Sequence, residues 1–186
     1  MNALRLFPKM VIVLGIAFAL AGVVVAGAGV YINSFVTQQL TAQQITTPED
    51  ATIPNAPVSD IATALSMADI IQHHAAESAD GLTYAQMGRF AVESGDPAGT
   101  NNAAEALKDA NGKPAANQAR NTQLTAASLV TALSLSAMAI GASYGAIALG
   151  VAFAILGIVL AGLGYALLGL ITPAVAQRFG IHSVSE

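Results

Sequence analysis

The feature that most constrains this chain is a pair of long apolar stretches that contain no charged side chain. The first covers residues 10–31, directly after Lys9, and the second lies between Arg120 and Arg178. A helix that crosses the hydrocarbon core of a bilayer needs about 20 apolar residues. Both stretches are long enough, and only 10% of all residues are charged, whereas soluble domains carry about 25%. The sequence therefore predicts an integral membrane protein.

The second stretch admits two arrangements. A single helix over residues 115–172 would be ~85 Å long, and a bilayer core is only ~30 Å thick. The helix could project out of the membrane, or it could fold into a hairpin at 141–145 and give three spans. The part before Gly141 is rich in Thr, Ser and Ala, whereas the part after it is far more lipid-like. We therefore predict an all-α membrane protein with two spans, 10–31 and 146–171, the second extended outwards; the hairpin is the alternative.

The basic residues next to the spans predict the orientation. Arg5 and Lys9 precede the first span and Arg178 follows the second, and Lys and Arg close to span ends favour the cytoplasmic side. This places the termini, 1–9 and 172–186, in the cytoplasm and residues 32–145 outside the plasma membrane. A cleaved secretory signal is the alternative for the first stretch, but its apolar run is longer than is usual for a signal.

The middle segment is predicted to be small and helical, with one extended connector. Polar residues and three prolines at 32–58 predict the connector. Helices are predicted at 60–78, at 84–93 and at about 102–111, each bounded by capping residues or glycines.

The helix at 60–78 contains two adjacent histidines and is amphipathic. At about 100° per residue, Asp69, His73 and Glu77 share its polar face, with His74 at the border and Ile70 as an apolar exception. The opposite, apolar face is formed by Ile61, Ala64, Leu65, Ala68, Ile71 and Ala75.

Asp69, His73 and Glu77 are the candidate metal ligands, because a spacing of four residues aligns side chains on a helix. A 2-His-1-carboxylate site needs a second converging histidine, yet His74 points about 100° away and His182 is predicted across the membrane. We therefore interpret the stripe as a solvated helix face or a partner contact, with metal or proton chemistry as the alternative. The chain has no Cys and no nucleotide-binding or hydrolase motif, so we expect no enzymatic activity and no cofactor.

Two sets of residues predict interaction surfaces. The outward part of the long helix carries leucines that water would expose, and soluble surfaces rarely tolerate such patches. Glycines in and before the second span allow close helix packing. The candidates are Leu124, Leu129, Leu133, Leu135, Gly141, Gly145, Gly150 and Gly157. We expect other subunits of a membrane complex and membrane lipids as partners, and a net charge of −4 gives no reason to expect nucleic acid.

The order of these segments also resembles a known family. The resemblance lies in "ADIIQHHAAESADGLTYAQM" (68–87), where the histidine pair precedes "GLTYA", and in the long helix that begins near Arg120 with "RNTQLTAASL". It is to small two-span actinobacterial membrane proteins that are often labelled as aromatic ring-opening dioxygenases. The dioxygenase label lacks converging metal ligands here. Residues 94–116 look like an insertion.

The resembling family includes accessory subunits of the actinobacterial respiratory supercomplex, which joins a cytochrome bc complex to a cytochrome aa-type oxidase. The resemblance therefore implies a non-catalytic, peripheral subunit that packs beside catalytic ones. Two alternatives stay open from the residues alone. One is a metal-binding or sensor membrane protein that uses the His73 helix face, and the other is a membrane protein that assembles with itself through its glycine faces.

Overall fold

The structure, a computed structural model, describes residues 2–171. This part of the chain forms three α-helices, α1 (Asn2–Ala42), α2 (Ile61–Glu77) and α3 (Gln118–Ile171), and one 3-10 turn, Tyr84–Gln86. It contains isolated β-bridges but no strand. The prediction of an all-helical chain is confirmed.

The first and last helices are the two long apolar elements that the sequence predicts. Leu6–Ala42 of α1 and Gln118–Leu170 of α3 are each long and apolar enough to cross a membrane. At ~1.5 Å per residue, α1 is about 60 Å long and α3 about 80 Å, so each exceeds a ~30 Å bilayer core. α3 is unbroken through 141–145, and the hairpin alternative is therefore not formed.

The extended connector begins later than predicted. Residues 32–42 continue α1 as helix, because this part of the tract contains neither proline nor glycine. Its apolar side chains also pack in the core of the protein. Leu40 is buried in the core and Val36 packs against that core. Only residues 43–58, which hold all three prolines, form turns and bends.

The chain divides into two compact units. The paired-helix unit comprises Met1–Ser34 and Gly141–Glu186, and the connector unit comprises Phe35–Ile140. In the paired-helix unit, α1 and α3 touch along a seam of six glycines with seven-residue spacing, Gly15, Gly22 and Gly29 on α1 and Gly150, Gly157 and Gly164 on α3.

The glycine seam brings the two backbones into direct contact. A Cβ atom at Gly157 would lie 2.5 Å from the carbonyl oxygen of Gly15 and 2.7 Å from the Cα of Ala19, so only hydrogen fits there. Gly15 meets α3 near Gly157 and Gly22 meets it near Gly150, which makes the helices antiparallel. Phe18 and Phe153 also make an edge-to-face contact, with ring centroids 5.8 Å apart.

The connector unit has a conventional apolar core. Its buried cluster comes from the end of α1, the connector, α2 and α3, and consists of Leu40, Val58, Ala64, Ala68, Leu133, Ala137 and Ile140. α2 begins at the N-cap Asp60, whose side chain accepts a hydrogen bond from the Thr63 amide.

Two predicted orientations on α2 are wrong. Ile70 is buried and Leu65 is exposed. The buried part of the helix also includes Ser66, whose hydroxyl accepts from the Ile53 amide of the connector.

The helices predicted at 84–93 and 102–111 are not formed, apart from the turn Tyr84–Gln86. The backbone of this region pairs instead across the loop, at the bridges Phe90–Thr100, Phe90–Ala116 and Lys108–Pro114. Buried Asn117 organises it, since its side-chain amide donates to the carbonyls of Gly88 (3.1 Å) and Pro97 (2.9 Å). Asn117 also receives the Arg120 amide on its side-chain oxygen and so caps the start of α3.

Candidate interaction surfaces

The two histidines of α2 bind different carboxylates. His73 Nε2 lies 3.4 Å from Glu77 Oε1, one turn along the same helix. His74 Nε2 lies 2.7 Å from Asp50 Oδ2 in the connector. The histidines therefore diverge, as their adjacent positions predict, and one of them ties the connector to α2.

The contact with His74 changes the acidity of Asp50. The hydrogen bond from His74 holds the pKa of the Asp50 carboxyl below its ordinary value of 3.8, and the backbone of Asp50 itself contributes in the same direction. Both side chains are about half exposed, so water screens the interaction strongly. The pair therefore forms a surface clasp, which holds the connector against α2.

The candidate metal ligands Asp69, His73 and Glu77 do not form a metal site in the described part of the chain. Within residues 2–171, no three His, Cys, Asp or Glu side chains converge in an arrangement that could hold a metal ion. His73 and Glu77 form their own pair, and the carboxylate of Asp69 is not part of it. His182, the remaining histidine, lies outside the described residues.

The four candidate leucines of α3 divide into one covered and three uncovered side chains. Leu133 is 6% exposed and belongs to the core, whereas Leu124, Leu129 and Leu135 are 51%, 47% and 59% exposed. The described part of the chain therefore covers only one of the four, and the other three stay candidates for contact with a partner.

An apolar stripe runs along the face of α3 that points away from the core. Its members follow the 4–3 spacing of a helix face, and they are Leu124, Ser128, Thr131, Leu135 and Met138, with Leu124, Leu135 and Met138 more than half exposed. The hydroxyls of Ser128 and Thr131 donate to the carbonyls of Leu124 and Ala127, one turn earlier. Another helix could thus cover the stripe without leaving these donors unsatisfied.

The four candidate glycines also divide into two kinds. Gly150 and Gly157 are buried by α1 in the glycine seam, so the interaction they make is within the chain. Gly141 and Gly145 are exposed, and nothing lies within 4 Å of a Cβ atom placed at Gly145. Only the second pair is open to a partner.

The structure also assembles two features that the sequence did not predict as a site. The guanidinium of Arg120 stacks on the ring of Tyr84, 3.9 Å from its centroid, a cation–π contact. The second feature is a groove of about 420 Å³ between α2 and α3, with Ile71, Ala126 and Leu129 among its lining residues. Both depend on long-range packing, and no spacing along the chain marks them.

No protein-family model, curated protein or solved structure matches this chain.

Proposed function

We propose that this chain is a two-span membrane protein that serves as a non-catalytic accessory subunit of a larger membrane complex. The observation that carries the proposal is the uncovered apolar stripe on α3 in the connector unit. Fully burying one Leu side chain contributes roughly 1.5–3 kcal/mol, so Leu124, Leu135 and Met138 together represent a large favourable energy that the isolated chain does not use. A helix of a neighbouring subunit would bury them.

The membrane part of the proposal is supported by how little of each long helix is covered. In the most apolar window of each helix, only 11% of the residues are buried. The core helix of a soluble protein would be mostly buried, since water does not tolerate so much apolar surface. Exposed Val, Leu and Ile side chains on both helices, for example Val24 and Ile158, are suited to lipid.

The glycine seam supports retention of α1 as a span. If α1 were removed as a signal peptide, Gly150, Gly157 and Gly164 would lose the backbone against which they pack. Contacts this close are typical of membrane helix pairs. We propose the plasma membrane, and the basic residues Arg5, Lys9 and Arg178 support an orientation with the connector unit on its outer side.

The complex that we propose is the actinobacterial respiratory supercomplex of cytochrome bc and cytochrome aa-type oxidase subunits. This choice rests on the sequence resemblance in residues 68–87 and 120–164. Two of the residues that carry it, Tyr84 and Arg120, stack on each other in the structure.

Purification from the native membrane in mild detergent tests the proposal. We expect an affinity-tagged chain to elute with haem-containing cytochrome subunits in fixed ratio, and a Leu135→Glu variant to lose them because a charge would enter the stripe. Leu65→Glu is the matched control, since Leu65 is an exposed leucine on α2. Recovery as a free monomer, or only as homo-oligomers, would overturn the proposal.

A further inference from the structure

We propose that a cleft between α2, α3 and the loop after α2 is the docking site for a segment of a partner subunit that carries an apolar side chain followed by a lysine or arginine. The inference deepens the proposed function and rests on it. It concerns a surface distinct from the apolar stripe, because the cleft lies on the side of α3 that faces α2.

The cleft consists of two adjoining grooves. The first, of about 420 Å³, is lined by the apolar side chains of Ile71, Ala75 and Leu129 together with polar ones that include His74. The second, of about 360 Å³, is lined by Asp80 and Asp96. Ser78 and Gln118 line both grooves, so the two are continuous and form one cleft with an apolar end and an acidic end.

The acidic end takes part in no ion pair within the described residues. No described lysine or arginine forms an ion pair with Asp80 or Asp96. Two of the basic residues of the connector unit have partners of their own: Arg120 stacks on Tyr84, and Lys108 donates to the carbonyl of Ala103. A cationic side chain at the acidic end would therefore approach two carboxylates that no described lysine or arginine already pairs with.

The charges also select among possible occupants. Anionic phospholipids carry a net negative charge, which the two carboxylates would repel. A second copy of this chain is disfavoured, since its connector unit holds ten acids and only four bases and like net charges repel. A peptide with an apolar anchor and a basic residue matches both ends of the cleft, and electrostatic complementarity of this kind sets specificity at interfaces.

Site-specific photocrosslinking in native membranes tests the cleft in the full chain. A benzoyl-phenylalanine probe replaces Thr125, which lines the apolar groove, and the control probe replaces Asn111, an exposed loop residue. We expect the Thr125 probe to crosslink to a peptide of another subunit that contains a lysine or arginine close to an apolar residue. We expect no such product from Asn111.

Removal of the two charges provides the quantitative arm. In an Asp80→Asn, Asp96→Asn variant, we expect the crosslinking yield to fall about 1.5- to fivefold for each carboxylate, and its sensitivity to salt to disappear. Both substitutions preserve the backbone. Asn tolerates the left-handed conformation of residue 80 (φ 50°), and at residue 96 it retains the oxygen that accepts from the Ala98 amide.

Crosslinking to a second copy, to lipid alone or to nothing would overturn the cleft assignment, as would an unchanged yield in the double variant. Failure here is separable from failure of the proposed function. If cytochrome subunits still co-purify but the probe at Thr125 gives no crosslink, only the docking site is wrong. If the cleft crosslinks a basic peptide of an unrelated complex and no cytochrome is recovered, the cleft stands and the assignment to the supercomplex falls.

Discussion

The two units of this chain differ in what stabilises the packing inside each of them. In the paired-helix unit, α1 and α3 meet where side chains are missing, at glycines such as Gly22 and Gly157 whose backbones touch the opposite helix. In the connector unit, the helices meet through side chains, since Leu40, Val58 and Leu133 fill a buried cluster. The same two long helices take part in both.

The difference matches the solvent that we propose for each unit. Lipid is as apolar as leucine, so burying leucine between helices gains little there, and close backbone contact through small residues becomes the main source of attraction. In water the hydrophobic effect rewards burial of large side chains. Side-chain hydrogen bonds of Asn117 and Ser66 hold loops in the connector unit. In the paired-helix unit, the Asn33 side-chain amide donates to the Ser143 hydroxyl between α1 and α3.

The largest expected effect sharpens the comparison within the connector unit. Leu133→Ala should destabilise the isolated chain by about 2–5 kcal/mol, because it leaves a cavity in the core. Leu135→Ala, two residues away on the exposed stripe, should change the stability by less than about 0.5 kcal/mol. Denaturant unfolding in detergent, followed by helical circular dichroism, measures both. Equal losses would mean that Leu135 is also covered in the free chain.

The second prediction addresses the glycine seam. Gly157→Ala should destabilise the helix pair by about 1–3 kcal/mol, since the new methyl group overlaps the α1 backbone. Gly162→Ala on the same helix is the matched control, because nothing lies within 4 Å of its added Cβ. The control should be neutral or stabilising, as alanine is the better helix former. Thermal unfolding in detergent measures the stability of both variants. If Gly162→Ala is as destabilising as Gly157→Ala, the close backbone contact in the glycine seam is not the cause.

A third, smaller effect concerns the start of α2. Asp60→Ala removes the N-cap, whose carboxylate accepts the Thr63 amide at 2.8 Å, and should cost about 1 kcal/mol. Asp69→Ala, on the exposed face of the same helix, should have little effect. The same hydrogen bond from the Thr63 backbone lowers the pKa of Asp60. If both variants unfold at the same denaturant concentration, the capping assignment is wrong.

The smallest effect is the pH dependence of the clasp between Asp50 and His74. The folded-state pKa of Asp50 lies below its ordinary value of 3.8, so the stabilisation is complete above that value and is lost as the pH falls through the lowered pKa. Asp50→Asn should therefore show a slightly smaller loss of stability than the unmodified chain between about pH 5 and about pH 3. Identical pH profiles would show that the clasp contributes nothing.

Much of the helical architecture is readable from the sequence, because it depends on local composition. The absence of charge after Arg120 and the absence of proline up to residue 172 predict the long helix, and α3 fills this range almost completely. The capping residues around Asp60 and Gly81 likewise predict α2. In each case the signal lies within one or two turns of the helix that it defines.

The errors arise where distant parts of the chain decide the structure. The helical patterns at 84–93 and 102–111 are overridden by backbone pairing across the loop and by the buried amide of Asn117. Ile70 is buried although it lies among the polar positions of its helix. The cleft joins Leu129 to Asp80 and Asp96 only after α2 and α3 have packed, so neither its apolar nor its acidic end could be predicted from spacing.

The central claim, that the two units face different solvents, is tested most directly by cysteine labelling in intact cells, because the chain contains no cysteine of its own. A cysteine at Asn111, exposed in the connector unit, should react with a membrane-impermeant maleimide added outside. A cysteine at Gly162, exposed on α3 in the paired-helix unit, should stay unlabelled until the membrane is dissolved by denaturing detergent. Labelling of both positions without detergent, or of Asn111 only after cell lysis, would contradict the account.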